Sequence, residues 1–232
     1  MKTQYLFLIL AALGTSACST LSPNSATMTK QSQSATTPAD ALQKLKDGNA
    51  RFVAGQSANY NYRQQVKQTA SGQYPYASVV SCLDSRTSTE LIFDQGIGDV
   101  FNARVAGNIA NPDIIGSLEF ASKVAGSKLI AVVGHTACGA VKGACDHVEL
   151  GNLTGLLNRI EPAVAATPST DGADRSSRNA AFVDKVAEQN VRRVMATIRK
   201  QSPILRQMEN AGQIKIAGAM HDIETGKVTF IN

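Results

Sequence analysis

Short apolar runs alternate with stretches of helical periodicity along most of this chain. Residues 76–83 (YASVVSCL), 100–105, 128–134 (KLIAVVG) and 214–220 are compact, apolar and rich in β-branched side chains, and each predicts a strand. The third is almost wholly apolar, as a parallel strand covered on both faces should be. Residues 227–231 follow Glu224-Thr225-Gly226, a hairpin-like turn, and predict an antiparallel edge. Between the strands, Thr87 and Glu90 have the spacing of a capping box, and residues 112–125 form one amphipathic stretch. Val183, Val186, Ala187, Val191, Val194 and Ile198 mark the apolar face of another helix. Ser202-Pro203 opens a further one and Gly212 closes it. Ala39, Leu42, Leu45 and Phe52 have helical spacing, with an interruption expected around Gly48. There is no internal repeat. The alternation predicts an α/β fold: a mostly parallel central sheet of four strands plus an antiparallel edge strand, flanked by helices. In such sheets ligands bind at the carboxyl ends of the strands, at a switch point in strand order.

The N-terminus reads differently. Met1-Lys2 is followed by an uncharged, mostly apolar run to Ala17, too short to span a bilayer but suited to a signal-peptide core. Residues 1–17 are expected to be a signal segment. Small residues lead into Cys18, as in bacterial lipoprotein signals, where that Cys is lipidated and becomes the new N-terminus. Thr15 stands where that pattern prefers Leu, and ordinary cleavage after Ala17 is the alternative. Either route exports the chain, to the periplasm or to a membrane-tethered position. Residues 18–37 are Ser/Thr/Gln-rich and predict a flexible tether; the compact domain is expected over 38–232.

Composition narrows the function. The 232 residues are 43% hydrophobic and 18% charged, with a net charge of +5 and no long basic block. With 5% aromatic residues and no Trp, platforms for stacking nucleic-acid bases are poorly supplied, so no nucleic-acid partner is expected.

The chemistry concentrates in Cys82-x-Asp84-x-Arg86 and His135-x-x-Cys138, in a chain of only four Cys and three His. Cys82 and His135 each fall at the end of a predicted strand. Export raises the alternative of a Cys82–Cys138 disulfide. His135 in the same motif favours metal instead, and two sulfurs with one imidazole suit Zn²⁺. Three protein ligands leave a fourth position open, the mark of a catalytic zinc, which lowers the pKa of bound water towards neutrality. Asp84 could fill that position, pair with Arg86, or cap a helix beginning near Ser85. Cys145 should share the helix face of Cys138 as a buried small hydrophobe.

CLDSR at 82–86, ARVAGN at 103–108 and GHTACGAVKG at 134–143 together closely resemble the β-class carbonic anhydrases, over about residues 38–232. The resemblance implies reversible hydration of CO2 to bicarbonate and a proton by a zinc-bound hydroxide, with one Zn²⁺ on Cys82, His135 and Cys138. It also implies a catalytic Asp84–Arg86 dyad and a homodimer or higher oligomer with its active site near the subunit interface. By position, Gln73, Phe101, Ala106, Phe120 and the backbone N–H of Gly139 would contact substrate; Phe120 stands where plant-type members have Tyr. Some members hold an inhibitory bicarbonate with a Trp shortly before the first Cys. Val79 stands there, which implies that Asp84 stays paired with Arg86. His147 and His221 are expected to be structural or exposed. Two other readings keep the fold: a non-catalytic zinc-binding lipoprotein, and a hydrolase of a CO2 analogue such as COS or CS2.

Overall fold

The computed structural model of the protein describes residues 24–231. Its helices are α1 (Lys30–Ala35), α2 (Pro38–Val53), α3 (Tyr62–Thr69), α4 (Thr89–Ile92), α5 (Pro112–Glu119, continued by a π-turn over Phe120–Val124), α6 (Gly139–Cys145), α7 (Gly151–Leu157), α8 (Glu161–Ala166), α9 (Ala180–Gln201) and α10 (Pro203–Asn210). The strands are β1 (Ala77–Ser81), β2 (Val100–Arg104), β3 (Leu129–His135), β4 (Lys215–His221) and β5 (Val228–Ile231). All five fall where the apolar runs predict them.

The strands form one sheet in the order β2-β1-β3-β4-β5. Every pairing is parallel except β4–β5, which is antiparallel and follows a turn carrying Gly226 at φ 74°. From β1 the chain steps one way to β2 and then returns to place β3 on the other side. The switch point therefore lies between β1 and β3, where an open α/β sheet leaves a crevice beyond its carboxyl ends. Both strands are buried throughout. Alternate residues serve opposite faces. Ala77, Val79, Leu129 and Ala131 pack with Ala41 and Leu45 of α2. Val80, Ile130 and Val132 pack with Val191, Val194 and Ile198 of α9.

Three local expectations need correction. Residues 24–37 are not a flexible tether. Thr29 caps α1 reciprocally with Ser32, and the buried Gln33 amide donates to Pro75 O and Ala125 O, each at 2.8 Å. A polar segment can order without much apolar burial when its amides satisfy carbonyls the fold leaves exposed. Thr87 and Glu90 do not form a capping box. The helix begins at Thr89, and the Thr87 hydroxyl instead donates to Cys82 O and Asp84 O. Gly48 does not interrupt α2. It allows the helix to press on the chain at Phe93: a Cβ there would lie 1.8 Å from Phe93 O.

That last contact predicts a stability effect. Gly48→Ala forces helix and loop apart and should cost about 3 kcal/mol, near the upper end for overpacking. Urea unfolding would show it as a lower midpoint at unchanged slope.

Candidate metal and active site

Residue 82 leaves β1 and His135 ends β3. Because Ser81 stands opposite Val133, the two side chains emerge almost level at the carboxyl edge of the sheet. Cys138 returns to the same point through a tight turn. Ala137 takes the left-handed conformation (φ 52°), which costs a non-glycine residue roughly 1–2 kcal/mol. Its N–H is secured by Asp184 Oδ1 at 2.9 Å. Cys138 is then the N-cap of α6, where the partial positive charge of the helix end favours a thiolate.

The donor atoms of Cys82, His135 and Cys138 all lie within 4.8 Å of one another, and all three residues are buried. Cys82 and Cys138 are free thiols with no disulfide. His135 Nδ1 faces Thr136 O at 2.9 Å, so the ring carries its proton there and leaves Nε2 as the lone-pair nitrogen. Nε2 is buried and has no hydrogen-bond partner. An orphaned imidazole nitrogen beside two buried thiols fits a thiophilic divalent cation such as zinc, with three protein ligands. Between the thiols, Cys82 is the one driven to ionise. The Cys138 thiol hydrogen-bonds to it, and the Gly107 N–H (3.4 Å) adds to that. Cys138, as the donor to that thiolate, is pushed up.

Of the states open to Asp84, the structure holds the ion pair. Arg86 donates Nε to Oδ1 at 2.9 Å, Nη2 to Oδ2 at 2.7 Å, and its backbone N–H to Oδ1 at 3.0 Å. These hydrogen bonds hold the carboxyl far below the usual carboxylate range. The same Oδ2 lies 3.9 Å from His135 Nε2, so an ionised carboxylate faces the donor cluster without joining it. No helix begins near Ser85 for Asp84 to cap.

The surrounding loop is held by residues that spacing did not single out. Arg104, the last residue of β2, donates Nε to Cys82 O at 2.9 Å and Nη2 to Asp84 O. Asn190 of α9 fixes Gly107 through its carbonyl at 2.8 Å. Arg104 carries a signal in retrospect, as a cation closing an otherwise uncharged strand after Asp99. Asn190 carries none, because its place in a buried helix face hides the bond it makes.

The proposed substrate contacts divide. Ala106 lies beside Gly107 and Gly139 directly follows Cys138, so both border the cluster. Gln73, Phe101 and Phe120 are not brought to it within one chain. Phe101 pairs with Ser78, about 13 Å of strand short of Cys82. Phe120 packs edge-on against Phe101 with ring centroids 6.4 Å apart, and is 52% exposed. Gln73 is exposed and precedes the amino end of β1. Parallel strands carry these side chains to the wrong end of the sheet for their own cluster. His147 is on the surface beside Glu161. His221 is buried opposite His135 in the β3–β4 register. Burial, and then His135 nearby, lower its pKa. Cys145 is buried in the cluster that contains Cys138, and burial pushes its thiol up to about 11.

The donor set predicts a pH-dependent metal site. Both sulfurs must lose protons to bind, so zinc affinity should fall as pH falls, releasing protons on binding. Competition with a chromophoric chelator would follow this. Cys82→Ala should lower bound zinc from about one per chain to near none.

Comparison with known proteins agrees with this geometry. The family model described as carbonic anhydrase matches residues 77–228. Carbonic anhydrase 2 of Mycobacterium tuberculosis is 34% identical over 204 residues, covering 84% of this chain and 93% of the relative. The carbonic anhydrase of Mycolicibacterium smegmatis is 36% identical over 199 residues, covering 82% and 92%. Among solved structures, a tetrameric β-carbonic anhydrase from the ascomycete Sordaria macrospora superposes with a TM-score of 0.63 at 25% identity, covering 83% of this chain and 95% of that one. The motifs, the sheet with its Cys-His-Cys cluster and these relatives converge: the chain belongs to the β-class carbonic anhydrase family.

Proposed function

We propose that this chain catalyses the reversible hydration of CO2 to bicarbonate and a proton, with zinc held by Cys82, His135 and Cys138. One observation carries the reading: the orphaned Nε2 of His135 lies between two buried thiols, with an ion-paired Asp84 beside it. Zinc in that position would supply a Lewis acid that ionises water near neutral pH.

The chain's own residues do the rest. Arg86 keeps Asp84 ionised and held short of the ligand set, so its free lone pairs can accept a hydrogen bond from the reacting water and orient its attack. Arg104 and Thr87 hold Cys82 O and Asp84 O, fixing ligand and carboxylate in one rigid loop. Ala106 and the Gly139 N–H border the place where CO2 would lie. A retired metal site would have no use for the Asp84–Arg86 arrangement.

The missing cleft walls support a homodimer or higher oligomer. β2 is a sheet edge among the described residues, and Leu83, Leu91, Phe120 and Val124 are exposed near it or in the turns that follow β1 and α5. A second copy seated there would cover these side chains and could bring Gln73, Phe101 and Phe120 to the other subunit's cluster.

Export and lipidation at Cys18 belong to the same proposal. Cys18 lies outside the described residues, and among those described no helix is long and apolar enough to cross a membrane.

Stopped-flow CO2 hydration on zinc-loaded protein tests the activity. Turnover that falls by on the order of 10²-fold in Asp84→Asn, with zinc retained, is the expected result. Zinc bound at full occupancy without hydration at neutral or alkaline pH would falsify the enzyme reading. Arg104→Ala should lower kcat about tenfold while leaving zinc content unchanged, as expected for lost positioning. Analytical ultracentrifugation should show at least a dimer, and Phe120→Glu should shift it towards monomer with loss of activity. Mass spectrometry of the mature protein from its membrane fraction should find lipid at Cys18, and Cys18→Ser should make the protein extractable from membranes by high salt.

A further inference from the structure

The described chain begins against α3, and α3 presents an unusual surface. Asn24 accepts from Asn61 N–H at 2.9 Å and donates to Asn59 O, and Ser25 Oγ donates to Gln64 Oε1 at 3.0 Å. On its inner side α3 is anchored by the buried Gln65, whose amide donates to Ala26 O and accepts from Ile97 N–H. The first described residues are thus bolted to this helix.

The outer face carries two rows at i,i+4 spacing. Tyr62 and Val66 are 48% and 56% exposed, and Arg63 and Lys67 lie beside them. Neither cation pairs with a carboxylate among the described residues. No Asp or Glu occurs in residues 1–39 or 48–83. The nearby Asp94 is turned inward, occupied by Arg51 and the Ala58 N–H. An apolar row with a Tyr beside a row of uncompensated cations is the pattern of a helix that lies on a bilayer surface.

We propose that the outer face of α3 is a docking surface for an anionic bilayer. The proposal rests on the reading of Cys18 as a lipid anchor, which sets its geometry. From Cys18 to Asn24 is six residues, at most about 20 Å when fully extended. A tether this short keeps α3 close to the headgroups, within a few Debye lengths of about 8 Å. There each unpaired cation adds attraction to anionic lipid, and Tyr62 and Val66 supply apolar area for the interface. The orientation also suits the site. α3 packs on the 94–99 loop, at the amino ends of β1 and β2. The Cys82–His135–Cys138 cluster is at their carboxyl ends, so a chain resting on α3 holds its own cluster away from the bilayer.

The test separates this surface from the lipid anchor. Mature Cys18→Ser protein, which can carry no lipid at that position, is floated with vesicles of phosphatidylcholine alone or mixed with phosphatidylglycerol. The expected result is binding to the mixed vesicles only, lost at high salt. It should weaken about tenfold in Arg63→Gln/Lys67→Gln, with zinc content and CO2 hydration unchanged. Hydrogen exchange should slow over residues 60–70 on the mixed vesicles alone. Equal binding to both vesicle types, an unaltered double variant, or residues 60–70 already protected in free protein by a second copy would each overturn the proposal. Absence of lipid on wild-type Cys18 would sink the anchor reading and leave these vesicle results to decide the surface on their own.

Discussion

The structure depends on the register between β1 and β3. Ser81 stands opposite Val133, so the next residue of one strand and the last of the other reach the carboxyl edge together. That edge is the switch point of the sheet, where no crossover covers the crevice. A one-residue slip would turn Cys82 to the other face and dissolve the cluster. The apolar burial of both strands is what forbids the slip, because Val79 and Val80 each have a separate core to fill. Core packing and the donor cluster are therefore one constraint.

Around that edge, unfavourable arrangements offset one another. Two thiols and an imidazole nitrogen are buried close together, where unpartnered polar atoms are costly. Ala137 is held in a conformation that non-glycine residues avoid. Asp184, Arg104, Thr87 and Asn190 over-determine the backbone nearby, each through a bond to a loop N–H or carbonyl. A site held this rigidly is preorganised, so little reorganisation remains for the moment of reaction. Asp84 illustrates the point. Its carboxylate is bound by one neighbour in sequence and its carbonyl by a residue from another strand, which leaves it near His135 without freedom to approach further.

The distribution of apolar residues is consistent with the homo-oligomer proposed above. Phe101 and Phe120 pack edge-on against each other far from their own cluster, and large apolar side chains are exposed near the edge strand. Parallel topology explains the distance: residues at opposite ends of a strand cannot converge within one sheet. At the other extreme of the sheet, polar residues before α2 order themselves through Gln33 and Thr29 and lead the chain back to α3.

Much of this was legible in the residues. Apolar runs located the five strands, because burial on both faces leaves little choice of composition. Motif spacing identified Cys82, His135, Cys138, Asp84 and Arg86, because metal ligation and ion pairing require specific side-chain chemistry. What sequence alone could not settle were contacts made with backbone carbonyls. Gln33 reads as linker, Thr87 as a helix cap, Gly48 as a break and Asn190 as an ordinary helix residue until the carbonyl that each one meets is placed in space. Every residue type offers a backbone carbonyl, so such contacts leave no compositional trace. The sequence by itself determined the strands, the donor set and the family. Tertiary structure alone decided which state Asp84 occupies, how residues 24–37 pack on the domain, and which of the proposed cleft residues a single chain can assemble, because those depend on distances between segments remote in sequence.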